Sequence, residues 1–386
     1  MVRAAMLSLL WFACGCGGGE PPTLPSTHGA ESSASTTPTA PETPATEPPA
    51  CQVSETHDLA SPSSAPRLVA LALDDSGGLL LWVDAAGATN TLALDADARG
   101  RGEPQAIELP DASGLLALAR VGSGYVVVAE GACATASHCL QALRLDAEGA
   151  RAGEPAITEL PSAPLTLRRR VLGAKLLLAI STTHAAPRLI TWTPTPTGLH
   201  AQERVLAQGA WPEEADATIL ALTTDETRWA ALYRVGATEA PTSHVVLALA
   251  NGLFEVPTLE HALAVDALAF EGDGLMALVS YEFFRPKLHR LHFDGSAHVE
   301  ARELLPGASL PSVFRGQRRA SLEHGDHLDF MLLTPAGDRV GPLLSVVDEG
   351  RAPADVGRIG DDYVVAAFVR DRIEALRVAC RPESSP

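Results

Sequence analysis

At 386 residues, 46% of them apolar, the chain is long enough for one large domain or two or three small ones and can bury a sizeable core. Its formal net charge of −18 excludes the basic face that a nucleic-acid binder requires, and four Tyr with five Trp are few for a surface built on stacking. Six cysteines are an even number, which bears on pairing once the compartment is known.

Residues 1–19 read MVRAAMLSLLWFACGCGGG. Arg3 supplies a positive start, and the apolar run from Ala4 to Ala13 falls short of the ~20 residues that span a bilayer as a helix. The pattern predicts a signal peptide over residues 1–16. Its end in small residues and cysteine resembles the lipobox of bacterial lipoproteins, where the cysteine is acylated and becomes the new N-terminus. Cys16, preceded by Gly15 and followed by three glycines, fits that pattern better than Cys14, and neither has the usual Leu three positions earlier; the expected lipidation site is Cys16 or Cys14. The resemblance implies a membrane partner through this anchor and, because no Asp follows either cysteine, the outer membrane. Residues 17–50 are rich in Pro, Thr, Ser, Ala and Glu, too poor in apolar mass to pack, and predict a disordered, extended tether.

From residue 51 onward, short apolar runs alternate with turns rich in Gly, Asp, Pro and Ser, and no long helical period is visible, which predicts an all-β domain. A phrase is written twice: LDADARGRGEPQAIELP at 94–110 and LDAEGARAGEPAITELP at 145–161, with nine identities over 17 positions and starts 51 residues apart. Each copy follows three apolar runs, so the unit is four strands, A to D, and the phrase covers the end of C, the C–D turn and D. Five weaker units follow, and the A strands of all seven start near 67, 114, 165, 218, 265, 312 and 355. Four strands per 40–50 residues is the spacing of a β-propeller blade, and seven units predict a seven-bladed β-propeller over residues 51–380, ahead of a short disordered tail at 381–386.

The last unit holds only three strands, and the segment from residue 51 is placed to supply its fourth, closing the ring. That closure brings Cys51 to Cys380, while Cys133 and Cys139 flank the B–C hairpin of the second blade; both pairs are expected as disulfides in an exported protein.

No nucleophile elbow, Walker loop, H-E-x-x-H or C-x-x-C occurs, and Gly122-Ser123-Gly124 reads as a tight A–B turn. The sequence points to no cofactor and no metal. HGDHLD at 324–329 and the turn carboxylates Asp95, Asp97, Asp146 and Glu148 have ligand-type side chains, but exposed turns use such residues anyway. Arg168 and Arg170 (with Arg169 between them), Arg315 and Arg358 fall on A strands, which line the channel of a propeller. They read as an anion-binding channel, or as stems packed over apolar surface with solvated heads. Trp211 in a D–A loop and Tyr281, Phe283, Phe284 and Arg285 at a B–C turn fall on one face of adjacent blades and have the composition of an interface core. The longest B–C loops, at 130–138, 181–187 and 235–243, mark the same face. The leading expectation is a lipid-anchored binding or scaffold module with a protein or glycan partner. The alternative is a hydrolase or lyase of an extracellular polymer, with its site over the channel.

Overall fold

A computed structural model describes residues 51–380 apart from 110–113, 132, 134–135, 208–210, 213–214, 237–243, 260–261, 282–283, 293–298, 304–317, 335–337 and 349–352. Side chains at 114–115, 258, 284–286, 292 and 299–303 are also outside the description. The expectations for Cys14, Cys16, Phe283 and Arg315 therefore lie outside the described residues, as do the side chains of Phe284 and Arg285.

The domain begins with β1 (Cys51–Ala60). Blade 1 is β2 (Leu68–Asp74), β3 (Gly77–Val83), β4 (Thr89–Leu94) and β5 (Gly100–Ile107). Blade 2 is β6 (Gly114–Val121), β7 (Gly124–Gly131), β8 (His138–Leu145) and β9 (Ala156–Leu160). Blade 3 is β10 (Pro164–Leu172), β11 (Lys175–Thr182), β12 (Arg188–Thr195) and β13 (Gly198–Val205). Blade 4 is β14 (Ala217–Thr224), β15 (Trp229–Val235), β16 (His244–Leu249) and β17 (Gly252–Glu255). Blade 5 is β18 (Ala262–Glu271), β19 (Gly274–Tyr281), β20 (Phe284–His292) and β21 (Val299–Glu303). Blade 6 shows β22 (Arg319–His324), β23 (Leu328–Leu333) and β24 (Leu344–Val347); its expected first strand, 312–316, falls outside the described residues. Blade 7 is β25 (Ala354–Ile359), β26 (Asp362–Val369) and β27 (Arg372–Cys380), completed by β1.

Every sheet is an antiparallel meander, and β1 pairs with β27 from Cys51↔Cys380 to Ala60↔Ile373. The strand exchange expected between the two ends of the domain is therefore present, and the Cys51–Cys380 disulfide sits at its start. First strands of successive blades touch in the order β25, β2, β6, β10, β14, β18, which sets them as an inner row. Side chains tie this row together: Leu71 N–H donates to Asp355 Oδ2 at 2.7 Å, and Ile219 N–H donates to Thr166 Oγ1 at 2.8 Å.

Most of the core lies between blades, with one small cluster of Ala269, Met276, Leu278 and Leu288 inside blade 5. Leu79, Leu81 and Val83 of blade 1 pack with Leu118, Val127 and Leu143 of blade 2, and comparable clusters join blades 2–3, 3–4, 4–5, 6–7 and 7–1. β22 of blade 6 has no fully buried residue, whereas in blades 1 to 5 and 7 the second strands are covered on both faces by neighbouring sheets. That is why they are written as continuous apolar runs such as Val126–Ala129 and Leu176–Ile180, all buried, and lack the alternation of a half-exposed strand.

Hairpin chemistry explains the punctuation. Gly122 and Gly360 occupy the same position in the two-residue A–B turns of blades 2 and 7, with φ of 63° and 57°, a left-handed conformation that costs glycine least. The twice-written phrase is a single turn used twice. Asp95 Oδ1 accepts the N–H groups of Asp97 and Arg99, and Asp146 Oδ1 accepts those of Glu148 and Ala150. Each turn then docks on the preceding blade. Ala98 packs in the cluster shared by blades 1 and 7, and the carbonyl of Gly149 accepts a hydrogen bond from Thr91 Oγ1 of blade 1 at 2.9 Å.

Candidate functional site

Both cysteine pairs expected from the sequence are present: Cys51–Cys380 and Cys133–Cys139 are disulfide-bonded, the second beside the Gly131↔Cys139 end of the β7–β8 hairpin.

Trp211 stands between blades 3 and 4, half-buried against the cluster that includes Tyr233 and Val246. Its Nε1–H donates to Ala215 O at 2.8 Å, and Ala215 N–H donates to Pro212 O at 3.1 Å, so the D–A connection folds back and fixes the ring. Beside it opens a cavity of about 260 Å³, whose lining includes Trp211, Tyr233, His244, Val246, Phe254 and Glu255. Strand register assembles this wall: Tyr233 lies opposite Val246, which lies opposite Glu255. Tyr233 is buried, its hydroxyl donates to Leu206 O, and burial pushes its phenol well above the ordinary range, so it serves as a fixed neutral wall.

A second cavity of about 320 Å³ lies at the matching place between blades 1 and 2, with Leu109, Gln141, Leu143, Arg151 and Pro155 in its lining. The crevice is thus a product of the architecture, formed where the D–A connection of one blade meets the outer strands of the next. What distinguishes the blade 4 copy is its three aromatic rings.

Tyr281 falls in a different cluster, between blades 4 and 5. Its hydroxyl and His289 Nε2 are 2.9 Å apart, and Lys287 Nζ lies 5.7 Å from its ring centroid. His289 is 1% exposed, and burial, helped by the Lys287 charge, brings its pKa down to about 4; burial raises Tyr281 to about 12. Tyr281 therefore anchors a buried polar pair under the B–C end of blade 5, while Trp211 belongs to the blade 3–4 crevice.

The arginines divide likewise. Arg168, Arg169 and Arg170 are exposed side chains on β10. Arg358 turns onto its own hairpin, with Nε donating to Gly360 O at 2.7 Å and Nη2 3.4 Å from Asp361 Oδ1. In the HGDHLD turn, Gly325 N–H donates to His327 O, and His327 Nδ1 is 4.0 Å from Asp348 Oδ1. Among the described residues, no three His, Cys, Asp or Glu side chains gather as a metal would need.

Seven antiparallel sheets, with the described first strands of six blades in a touching inner row and the first strand of the domain completing the last sheet, define a seven-bladed β-propeller. No family model matches the sequence, and no curated protein matches it. Among solved structures the chain is similar to a Bacteroides fragilis protein provisionally assigned as a 6-phosphogluconolactonase, at 12% identity and a TM-score of 0.37, over 75% of this chain and 85% of that one. At that score the likeness carries no argument about substrate or mechanism, and the fold rests on the strand topology itself.

Proposed function

We propose that this chain is a lipid-anchored, extracytoplasmic propeller that acts as a binding or scaffold module at the cell envelope, probing its partner through the crevice between blades 3 and 4. The observation that carries the reading is the aromatic cavity of Trp211, Tyr233 and Phe254, with His244 and Glu255 adding a polar side. A cavity of about 260 Å³ accepts one large side chain or one sugar ring, the kind of anchor on which a protein or glycan partner concentrates its affinity. Two disulfides agree with an oxidising compartment. The lipobox-like leader and the Pro-rich segment supply the anchor and the tether, and several acyl chains together give stable attachment.

Two measurements test this. Metabolic labelling with radioactive palmitate should mark the wild type, and Cys16→Ser should lose the label and release the protein to the soluble fraction. Loss in Cys14→Ser instead would move the site by two residues, and retention in the double variant would remove the anchor. Crosslinking in intact envelopes should trap a partner that Trp211→Ala recovers much less well. Equal recovery would discard the crevice.

A further inference from the structure

The three consecutive arginines of β10 are an island of positive charge in a chain of net charge −18. Register is regular from Thr166 onward, with Arg168 opposite Ala179, Arg169 opposite Leu178 and Arg170 opposite Leu177. Directly opposed residues share a face of the sheet. Leu177 and Ala179 belong to the cluster with Ala217, Ile219 and Leu222 of blade 4, whereas Leu178 belongs to the cluster with blade 2. Arg168 and Arg170 therefore lie on the blade 4 side, and Arg169 lies on the other.

The two sides differ in charge. Arg169 has a carboxylate within electrostatic reach, because its charge acts on Asp355 of blade 7, three blades away along the inner row. The strand facing Arg168 and Arg170 is β14, ATILALTT, which has no ionisable side chain. Among the described residues, the guanidinium groups of Arg168 and Arg170 donate only to carbonyls of their own strand, Leu167 O at 2.8 Å and Arg169 O at 2.9 Å, and no carboxylate forms an ion pair with either. The Arg170 side chain stays exposed, yet partial desolvation at the strand, followed by the charges of Arg168 and Arg169, lowers its pKa. Two like charges on neighbouring positions of one face of the inner row, exposed to solvent and without a counter-charge among the described residues, are a site for an anion.

The stoichiometry selects the anion. Alternate residues of a strand are about 6.6 Å apart, so the two planar forks can converge on one group. A single fork already saturates a carboxylate, whereas a tetrahedral oxyanion has oxygens enough for two forks. Neutralising two guanidinium charges takes two negative charges. We propose that Arg168 and Arg170 form a clamp for a tetrahedral dianion, such as phosphate, sulfate or a phosphomonoester, on the inner row of blade 3.

The test is calorimetric titration of the purified full-length protein at pH 8 and constant ionic strength with sulfate, inorganic phosphate, phenyl phosphate and acetate. The dianions should saturate and acetate should not. R168Q and R170Q should each weaken binding at least about tenfold, the loss expected when a charged hydrogen-bonding partner is removed, and R169Q should change it less than about threefold. Phenyl phosphate above inorganic phosphate would identify an organic phosphate as the ligand, and parity would identify a free anion; either order supports the clamp. Absence of saturation by every dianion up to about 10 mM, or equal losses in all three variants, overturns it. Thermal midpoints without ligand guard against misfolding: relief of repulsion leaves R170Q at or above the wild type, and a clear fall would assign these arginines to packing and overturn the clamp.

Discussion

Replacing Cys51 and Cys380 together by serine should lower the unfolding free energy by about 5 kcal/mol, near the upper end for a single disulfide, because the bond joins residues 329 apart in sequence. The Cys133–Cys139 bond spans only 6 residues, and its double serine variant should lose about 2 kcal/mol. The local structure strengthens the contrast. Most of β1 is exposed: Cys51 is its one fully buried side chain, and Leu59 and Ala60 pack only partly at the far end. Between those two ends β1 is held mainly by its ladder with β27. Without the disulfide the strand should fray from Cys51 inward and uncover the edge of β27, next to buried Leu376 and Val378. Urea unfolding of both double variants checks the ranking, and hydrogen exchange at the β27 amides checks the fraying. Equal midpoints for the wild type and the Cys51/Cys380 variant would mean that the strand exchange holds itself.

How much was legible in the sequence depended on whether the constraint was local. The period of the domain was readable because Asp95 and Asp146 cap the same turn, and that turn docks on the preceding blade through a fixed backbone shape. In most later blades the constraint is only that second strands be apolar, which many sequences satisfy, and β22 of blade 6 (RASLEH) escapes even that, so the units fade while the strands persist. The cysteine pairing followed from the topology once β1 was given to the last sheet. The crevice was legible only at Trp211. Its other walls come from register, with Tyr233, Val246 and Glu255 side by side from three strands, and no spacing in the chain announces them.

Long side chains also defeat position-based reading. Arg358 and Arg170 both sit on first strands, yet one curls onto Gly360 and the other stands beside Arg168 without a counter-charge among the described residues. His289 shows the same limit for burial. Three residues from His292, it gave no ligand pattern, and nothing local marks it as buried. Its enclosure is set by where β20 lies against β19 and the sheets around them.

That enclosure has a consequence for acid stability. In the unfolded chain His289 titrates near 6.5, whereas burial and the neighbouring Lys287 hold it to about 4 in the fold. Between these values the unfolded state binds the extra proton, so stability falls as pH drops below about 6.5 and the loss is complete below about 4. At pH 4.5 this group alone should remove about 2 kcal/mol relative to pH 7. His289→Gln keeps a polar partner for the Tyr281 hydroxyl but cannot titrate. Its stability should therefore change between pH 7 and 4.5 by about 2 kcal/mol less than that of the wild type, whatever the carboxylates contribute to both. Asp355 works in the opposite direction: burial raises its pKa, so its ionisation costs stability as pH rises through the carboxylate range. Because the two effects sit in different blades, urea midpoints of wild type, His289→Gln and Asp355→Asn across pH 4 to 7 can separate them. A His289→Gln curve parallel to the wild type would show that the ring accepts its proton in the folded state at no cost, and the buried Tyr281–His289 pair would then have no part in acid sensitivity.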